Sequence, residues 1–291
     1  MSNGLTIIPT LHAEHLAKLM SVPKGSSIVF IEGNKEGKRF FPDGEIFVKL
    51  PKVKLHKRIV ILHAGAPNPN AGIVELEMLI CTLNNLGHKN IEIFFAYFPY
   101  GMQDNPKLLR EANAAENLIQ KLTNFYSIRK IYVLDAHFLG QSWVKKYPIK
   151  NISAIPVLKS SALKDYPSAI FLAPDQGSQR RTMLQGITKI RINSFEINMI
   201  NDKKFIATVR NQTVGIVDDL VETGGTAVKF ADLCRKVGVK DLIALVAHGL
   251  LPSGVQRLKK AYRKTYLTNS IEHADANVDI STLILDEILL K

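Results

Sequence analysis

Residues 214–226 bring together, in one short segment, side chains that suit a phosphorylated sugar. An apolar run leads into two adjacent carboxylates, which can accept hydrogen bonds from vicinal sugar hydroxyls at the carboxyl end of a parallel strand. The Thr-Gly-Gly-Thr turn that follows offers backbone N–H groups and hydroxyls at a helix start, and its glycines permit close approach of a phosphate. The predicted site comprises Asp218, Asp219, Thr223, Gly224, Gly225 and Thr226. The alternative interpretation is an ordinary strand, a polar turn and a capped helix.

The elements that would position this site alternate between strands and helices. Apolar, β-branched runs predict strands at 58–62, 91–96, 131–134, 169–173, 214–217 and 242–247. Helical periodicity occurs near 73–85, 108–124, 226–236 and 255–263. This alternation is typical of βαβ units, so we predict an α/β fold with mainly parallel sheets.

The chain also matches itself. Arg58–Pro99 aligns without a gap on Val209–Leu250, at an offset of 209 − 58 = 151 residues. We therefore predict two similar α/β domains, residues 1–147 and 148–291, related by internal duplication. A boundary near Pro148 would lie in a polar stretch where a connection can run. The counterpart of the acid pair and glycine turn in the first half has neither feature, so one half carries the sugar-phosphate site.

Composition limits the class of protein. Of the 291 residues, 46% are hydrophobic and 22% charged, as in ordinary globular proteins. The sequence contains no apolar run long enough to span a bilayer and no recognisable signal peptide, so we predict a cytoplasmic protein without a membrane partner. Cys81 and Cys234 lack the spacing of a zinc or redox pair. The net charge of +12 attracts polyanions, whether nucleic acid, anionic lipid or phosphorylated metabolites, and does not choose among them.

The segment 214–226 resembles the phosphoribosyl diphosphate loop that type I phosphoribosyltransferases share with ribose-phosphate pyrophosphokinases. Further segments, in matching order over residues 35–285, favour the pyrophosphokinases. They are Phe41-Pro-Asp-Gly-Glu45, Tyr97-Phe-Pro-Tyr-Gly-Met-Gln-Asp104, Asp135-Ala-His137, Ala173-Pro-Asp-Gln-Gly177, Lys189-Ile-Arg191 and Thr268-Asn269-Ser270. The resemblance implies two phosphoribosyltransferase-type, Rossmann-like domains, with nucleotide-binding elements in the first and the sugar-phosphate loop in the second.

The resemblance also implies a reaction, in which the anomeric hydroxyl of ribose 5-phosphate attacks the β-phosphorus of Mg-ATP to give phosphoribosyl diphosphate and AMP. Lys189 and Arg191 would be the catalytic cations of a closing loop. ATP would contact Phe41, Asp43, Glu45, Gln103, Asp104 and His137. Asp175 would help bind ribose 5-phosphate and, with His137, Mg²⁺. Because the first three ATP residues would reach adenine in a neighbouring subunit, the resemblance implies a homo-oligomer of at least two chains.

The chain departs from the family pattern at two places in the nucleotide-binding segments. Met102 stands where the family has an arginine before Gln-Asp, and Ala71 stands where it has an aspartate. A thioether replaces neither the charge nor the fork geometry of a guanidinium. These departures leave open a non-catalytic regulatory paralogue of such a synthetase. The shared loop also leaves open a phosphoribosyltransferase that consumes phosphoribosyl diphosphate. A nucleic-acid binder ranks last, because the basic residues do not form a tract with interleaved aromatics.

Overall fold

The computed structural model describes residues 4–106, 110–174, 177–178, 181 and 203–290, without the side chains of 204 and 205. Its strands are β1 (Leu5–Pro9), β2 (Ser27–Ile28), β3 (Arg58–Ala64), β4 (Ile91–Tyr97), β5 (Lys130–Leu134), β6 (Ile149–Ile152), β7 (Ile170–Leu172), β8 (Thr213–Val221), β9 (Asp241–Gly249) and β10 (Lys264–Leu267). The α-helices are α1 (Glu14–Leu19), α2 (Pro69–Asn85), α3 (Ala114–Gln120), α4 (Ile155–Asp165), α5 (Lys203–Val209), α6 (Gly225–Lys236), α7 (Pro252–Ala261) and α8 (Ser281–Leu289). Short 3₁₀ helices occupy Leu11–Ala13 and Ser142–Lys146, and a π-helix occupies Lys121–Phe125.

The chain divides into two compact units. Unit 1 comprises the chain up to Ile152 together with Ser270–Glu272 and the C-terminal segment from Ile280. Unit 2 comprises Ser153–Asn269 and His273–Asp279. The division follows Ile152, and the C-terminal helix α8 is grouped with unit 1.

Unit 1 contains a parallel sheet in the order β2-β1-β3-β4-β5-β6. Every residue of β4 is buried, and so is every residue of β3 after Arg58, as expected for central strands of a parallel sheet covered on both faces. Phe95 packs on Phe98 with ring centroids 4.7 Å apart, within a core that includes side chains from α2 and α3. The central strands therefore owe their position to apolar burial on both sides.

Unit 2 contains a parallel sheet in the order β10-β9-β8-β7. The long strands β8 and β9 lie at its centre and pair from Thr213↔Asp241 to Val221↔Gly249. The order β8–α6–β9 repeats the order β3–α2–β4 of unit 1, which agrees with the sequence match between the two halves. The predicted α/β class with mainly parallel sheets is confirmed.

Two predicted elements need correction. The helix predicted near 108–124 begins as α3 only at Ala114, because the Asn113 side chain caps it by accepting the Glu116 N–H at 3.1 Å. The polar stretch predicted as a connection contains β6, which pairs with β5 at the sheet edge, where half-buried residues such as Lys150 and Asn151 are tolerated. Within the described part of the chain, no helix has the length and apolar character to cross a bilayer.

Candidate functional site

The acid pair lies inside β8, near its carboxyl end. The strand does not stop at Val217, as predicted, but continues through the pair to Val221. Asp218 is 8% exposed and Asp219 is 1% exposed. Two adjacent carboxylates buried at the end of a central strand require compensating hydrogen bonds or cations, since an unpaired buried charge is very costly.

The compensation comes from two residues that the sequence analysis missed. Ser178 Oγ donates a hydrogen bond to Asp218 Oδ1 at 2.6 Å, and Arg181 Nε donates to Asp219 Oδ1 at 2.7 Å. The Asp219 backbone N–H also donates to Asp218 Oδ1 at 3.0 Å. Ser178 directly follows the Ala173–Gly177 motif and Arg181 lies four residues beyond it, but no local pattern connects them with carboxylates 40 and 38 residues away.

The two carboxylates do not share one environment. Burial raises the pKa of Asp218 well above its ordinary value, and the neighbouring Asp219 raises it further, while the hydroxyl of Ser178 lowers it. Arg181 forms its short ion pair with Asp219, whereas its distance to Asp218 is 3.9 Å. The pair therefore holds one carboxylate that is readily protonated and one that is neutralised by a guanidinium.

The predicted phosphate turn follows β8 and begins α6. Gly224 is the N-cap residue with φ of +75°, a left-handed conformation that favours glycine. No side chain caps the helix and no acidic residue stands in its first turn, so its N-terminal N–H groups face no competing carboxylate from that turn. Thr223 and Thr226 are exposed beside it. This arrangement can accept an anion by hydrogen bonding and by the helix dipole.

Helix α7 packs against the turn and supports it. A Cβ atom on Gly254 would lie only 2.0 Å from the backbone oxygen of Glu222, so the helix and turn touch through a glycine. One turn further along, Arg257 Nη1 donates to the backbone oxygen of Thr223 at 3.1 Å. The geometry of the turn thus depends on two residues of α7 as well as on its own glycines.

We expect Arg181→Ala to destabilise the protein by about 3–5 kcal/mol, because it leaves the Asp219 carboxylate buried without its guanidinium. The double variant Arg181→Ala/Asp219→Asn should recover most of that loss, since it removes the uncompensated charge as well. Urea unfolding of the three proteins measures both values. If the free energy of unfolding of Arg181→Ala lies within about 0.5 kcal/mol of the wild-type value, the ion pair does not hold the acid pair in place.

The predicted adenine-binding residues lie on a hairpin of unit 1. Phe40 pairs with Ile46 in an antiparallel bridge, and the Phe41 N–H donates to the Glu45 oxygen at 2.8 Å. The side chains of Phe41, Asp43 and Glu45 are all exposed. The structure therefore brings these three predicted residues together on one projecting tip, away from the packed core of their own unit.

The other predicted nucleotide residues follow β4 and β5. Asp104 accepts a hydrogen bond from Gln141 Nε2 at 3.0 Å, and its backbone oxygen accepts one from Trp143 Nε1 at 3.1 Å. Gln103 is exposed, and His137 is partly buried just after β5. A Cβ atom on Gly101 would lie 3.7 Å from Cβ of His137, so the two segments are neighbours. Part of Asp104 is thus engaged in fixing its own loop.

Three predicted residues, Asp175, Lys189 and Arg191, lie outside the described residues. In the described part of the chain, no group of three or more His, Cys, Asp or Glu side chains could hold a metal ion. A magnesium ion that arrives bound to substrate phosphates does not need such a group, because it commonly takes only one or two protein carboxylates. An imidazole such as that of His137 suits a phosphate oxygen or the hydration shell of the ion better than direct ligation.

The fold and the site together define the phosphoribosyltransferase-type class. They combine a repeated α/β architecture with an acid pair on a central parallel strand and an anion-accepting turn after it. Comparisons with known proteins indicate which members of this class the chain resembles. A family model for the N-terminal domain of ribose phosphate pyrophosphokinase matches residues 27–125. The chain is therefore similar to ribose-phosphate pyrophosphokinases, which are kinase-type enzymes.

The relatives cover almost the whole chain at low identity. A ribose-phosphate pyrophosphokinase of Pyrococcus abyssi is 25% identical over 285 residues, which is 94% of this chain and 94% of the relative. That of Pyrococcus furiosus is 28% identical over 258 residues, which is 84% of this chain and 89% of the relative. The crystal structure of phosphoribosylpyrophosphate synthetase from Mycobacterium smegmatis has the same fold, with a TM-score of 0.74, 20% identity and coverage of 99% of this chain and 98% of that one.

Proposed function

We propose that the protein is a ribose-phosphate diphosphokinase, which transfers the β,γ-diphosphoryl group of Mg-ATP to the anomeric hydroxyl of ribose 5-phosphate. The observation that carries the proposal is the buried acid pair of β8 next to an uncapped helix start whose first turn has no acidic residue. Vicinal hydroxyls and a 5-phosphate are the two features of ribose 5-phosphate that these groups recognise. The similarity to ribose-phosphate pyrophosphokinases supports the same substrate.

In unit 2, the charge of each group indicates which part of ribose 5-phosphate it binds. Asp218 and Asp219 accept hydrogen bonds from the 2- and 3-hydroxyls, and the Gly224–Thr226 turn binds the 5-phosphate. Asp175 belongs to this sugar site by its position after the predicted strand. Lys189 and Arg191 supply positive charge to the diphosphoryl group while it is being transferred. Preorganised cations lower the barrier most at that stage.

In unit 1, the exposed hairpin tip with Phe41, Asp43 and Glu45 contacts the adenine of a neighbouring subunit, which makes the active form a homo-oligomer. Gln103, Asp104 and His137 contact the ATP of their own chain. Asp175 and His137 would hold Mg²⁺, His137 through the hydration shell of the ion, and the ion would neutralise charge on the phosphate oxygens. These assignments rest on the family motifs and on the exposure of the hairpin.

The proposed step is a direct displacement. The anomeric oxygen forms a bond to the β-phosphorus, the bond from that phosphorus to the bridging α–β oxygen breaks, and AMP leaves with the electron pair. The hydroxyl proton passes to solvent. No covalent enzyme intermediate is needed, so positioning and electrostatics account for the catalysis. The product would enter nucleotide biosynthesis in the cytoplasm.

A regulatory paralogue is the second candidate, and the exposed Met102 favours it. Met102 is 42% exposed, in the segment where the family has a cationic nucleotide contact. Nearby, the Tyr100 hydroxyl donates to the Asn70 carboxamide, so this surface is polar but lacks the arginine. Loss of one charged contact costs about 1.5–3 kcal/mol, which weakens ATP binding without abolishing it.

Phosphorus NMR tests the proposal. We expect the purified protein with Mg²⁺, ATP and ribose 5-phosphate to form AMP and phosphoribosyl diphosphate in equal amounts, strictly dependent on the sugar phosphate. Lys189→Ala should lose most of the turnover, while Lys229→Ala, an exposed lysine of α6, should keep it. No turnover, with thermal protection by ribose 5-phosphate retained, would favour the regulatory paralogue. Consumption of added phosphoribosyl diphosphate with a nucleobase would favour a phosphoribosyltransferase.

A further inference from the structure

Arg39 is a buried cation that the proposed function does not use. The residue is 8% exposed, whereas the segment around it is largely exposed. Its Nη1 donates to Glu14 Oε1 at 2.9 Å and to the Ile31 backbone oxygen at 3.3 Å, and its Nη2 pairs with Glu75. One guanidinium thus ties the loop after β2 to α1 and to α2.

Glu75 makes this anchor rigid. The carboxylate is 3% exposed and accepts the Leu11 N–H through both oxygens, at 3.2 and 3.1 Å. Burial raises its pKa, which Arg39 and the Leu11 N–H counteract. Glu75 therefore fixes the guanidinium relative to both the first 3₁₀ turn and the long helix that covers the sheet of unit 1.

The backbone of Arg39 forms the base of the hairpin. Its carbonyl oxygen accepts the Phe47 N–H at 2.8 Å, immediately before the Phe40↔Ile46 bridge. Above that bridge, the hydrogen bonds of the tip are internal to it: Phe41 N–H to the Glu45 oxygen at 2.8 Å, Gly44 N–H to the Phe41 oxygen at 2.9 Å and Glu45 N–H to Asp43 Oδ1 at 3.1 Å. Phe41 also makes an edge contact with Phe47, with ring centroids 5.7 Å apart. The orientation of the tip is therefore set at its base.

The network of Arg39, Glu75 and Glu14 is not an efficient way to stabilise the folded state. Arg39 Nε is buried and has no hydrogen-bond partner among the described residues, so part of the desolvation cost is not recovered. Buried ion pairs can often be replaced by apolar groups without loss of stability, whereas they fix one geometry among alternatives. A role in orienting the hairpin accounts for the buried charges better than a contribution to folding does.

We propose that Arg39, held by Glu75 and Glu14, is a positioning residue that aims the Phe41–Glu45 hairpin tip at the adenine of the neighbouring subunit. This inference rests on the proposed function, because the tip has an adenine to contact only if the protein binds ATP. Arg39 itself touches no substrate. It acts through the direction in which the hairpin leaves the core.

The test compares Arg39→Met, Glu75→Gln and the double variant Arg39→Met/Glu75→Gln with wild type in steady-state kinetics over both substrates. We expect the KM for ATP to rise at least tenfold in Arg39→Met and to stay raised in the double variant, which contains no unpaired buried charge. The KM for ribose 5-phosphate and the kcat should change less than threefold. Lys38→Met, an exposed neighbour, serves as the matched control and should leave all three constants unchanged.

Amide hydrogen exchange gives a readout that does not depend on turnover. The N–H groups of Phe41, Gly44 and Phe47 should exchange at least tenfold faster in the double variant, while amides of β3 and β4 stay protected. An active wild type with an unchanged KM for ATP in the double variant would overturn the inference. An inactive wild type that binds no ATP would instead overturn the proposed function, and unchanged exchange at the hairpin would reject the anchor directly.

Discussion

Asp218→Asn is expected to make the protein more stable at neutral pH and much less able to use ribose 5-phosphate. Burial and Asp219 raise the pKa of Asp218, so the folded state holds the proton more tightly than the unfolded state does. A group whose pKa is higher in the folded state than in the unfolded state stabilises the fold at pH values below the unfolded-state pKa. That stabilisation is lost as the pH rises through the folded-state pKa. Asparagine removes the charge and keeps the Oδ1 that accepts from Ser178 and from the Asp219 N–H.

The melting temperatures of wild type and variant should therefore coincide near pH 4 and separate as the pH rises, with the variant higher by a few degrees at pH 7. The value of kcat/KM for ribose 5-phosphate should fall about 10- to 150-fold, the equivalent of one charge-assisted hydrogen bond. Asp232→Asn, an exposed acid on α6, has the same charge change and should alter neither quantity. A variant less stable than wild type at pH 7 would mean that the ionised carboxylate supports the ligand-free fold.

Gly254→Ala is expected to distort the proposed sugar-phosphate site, although Gly254 is not part of that site. The new Cβ would lie 2.0 Å from the Glu222 backbone oxygen, and that oxygen belongs to the turn rather than to a flexible side chain. Either α7 or the turn must shift, and shifts of this kind cost about 1–3 kcal/mol. Because Arg257 on the same helix donates to the Thr223 oxygen, the displacement should reach the N–H groups that we propose bind the 5-phosphate.

We expect the KM for ribose 5-phosphate to rise at least tenfold in Gly254→Ala, with a lower urea midpoint and an ATP affinity within threefold of wild type. Ser253→Ala is the matched control, because it adds no atom and changes an exposed residue of the same helix. Isothermal titration with each substrate measures the two affinities separately. Normal ribose 5-phosphate binding in a correctly folded Gly254→Ala protein would show that the turn adjusts independently of α7.

The parts of the fold that depend on long apolar runs could be predicted from the sequence. Strands β3, β4, β8 and β9 are central and buried on both faces, so their composition carries the signal. The edge strands β2 and β6 could not be found in that way. Ser27–Ile28 is too short for any periodicity, and Ile149–Ile152 is an edge strand whose half-buried Lys150 and Asn151 interrupt the apolar pattern.

The candidate site shows the same division between local and distant information. The acid pair and the glycine turn lie within one segment, so their spacing could be interpreted directly. The partners Ser178 and Arg181 lie 40 and 38 residues away in sequence from the carboxylates that they bind, and no local pattern records that contact. Gly254 and Arg257 were missed for the same reason, since their role exists only once α7 packs on the turn.

The central position of β8 also determines when the site can exist during synthesis. Its neighbours are β7, which precedes it in the chain, and β9, which follows it and extends to Gly249. Parallel neighbours cannot pair until the intervening connection has been completed. A nascent chain that has just emerged to Thr226 therefore carries every residue of the acid pair and the turn but only one flanking strand. We therefore expect the proposed sugar-phosphate site to form only after β9 and α7 have left the ribosome, so that a ligand could stabilise this site only late in synthesis.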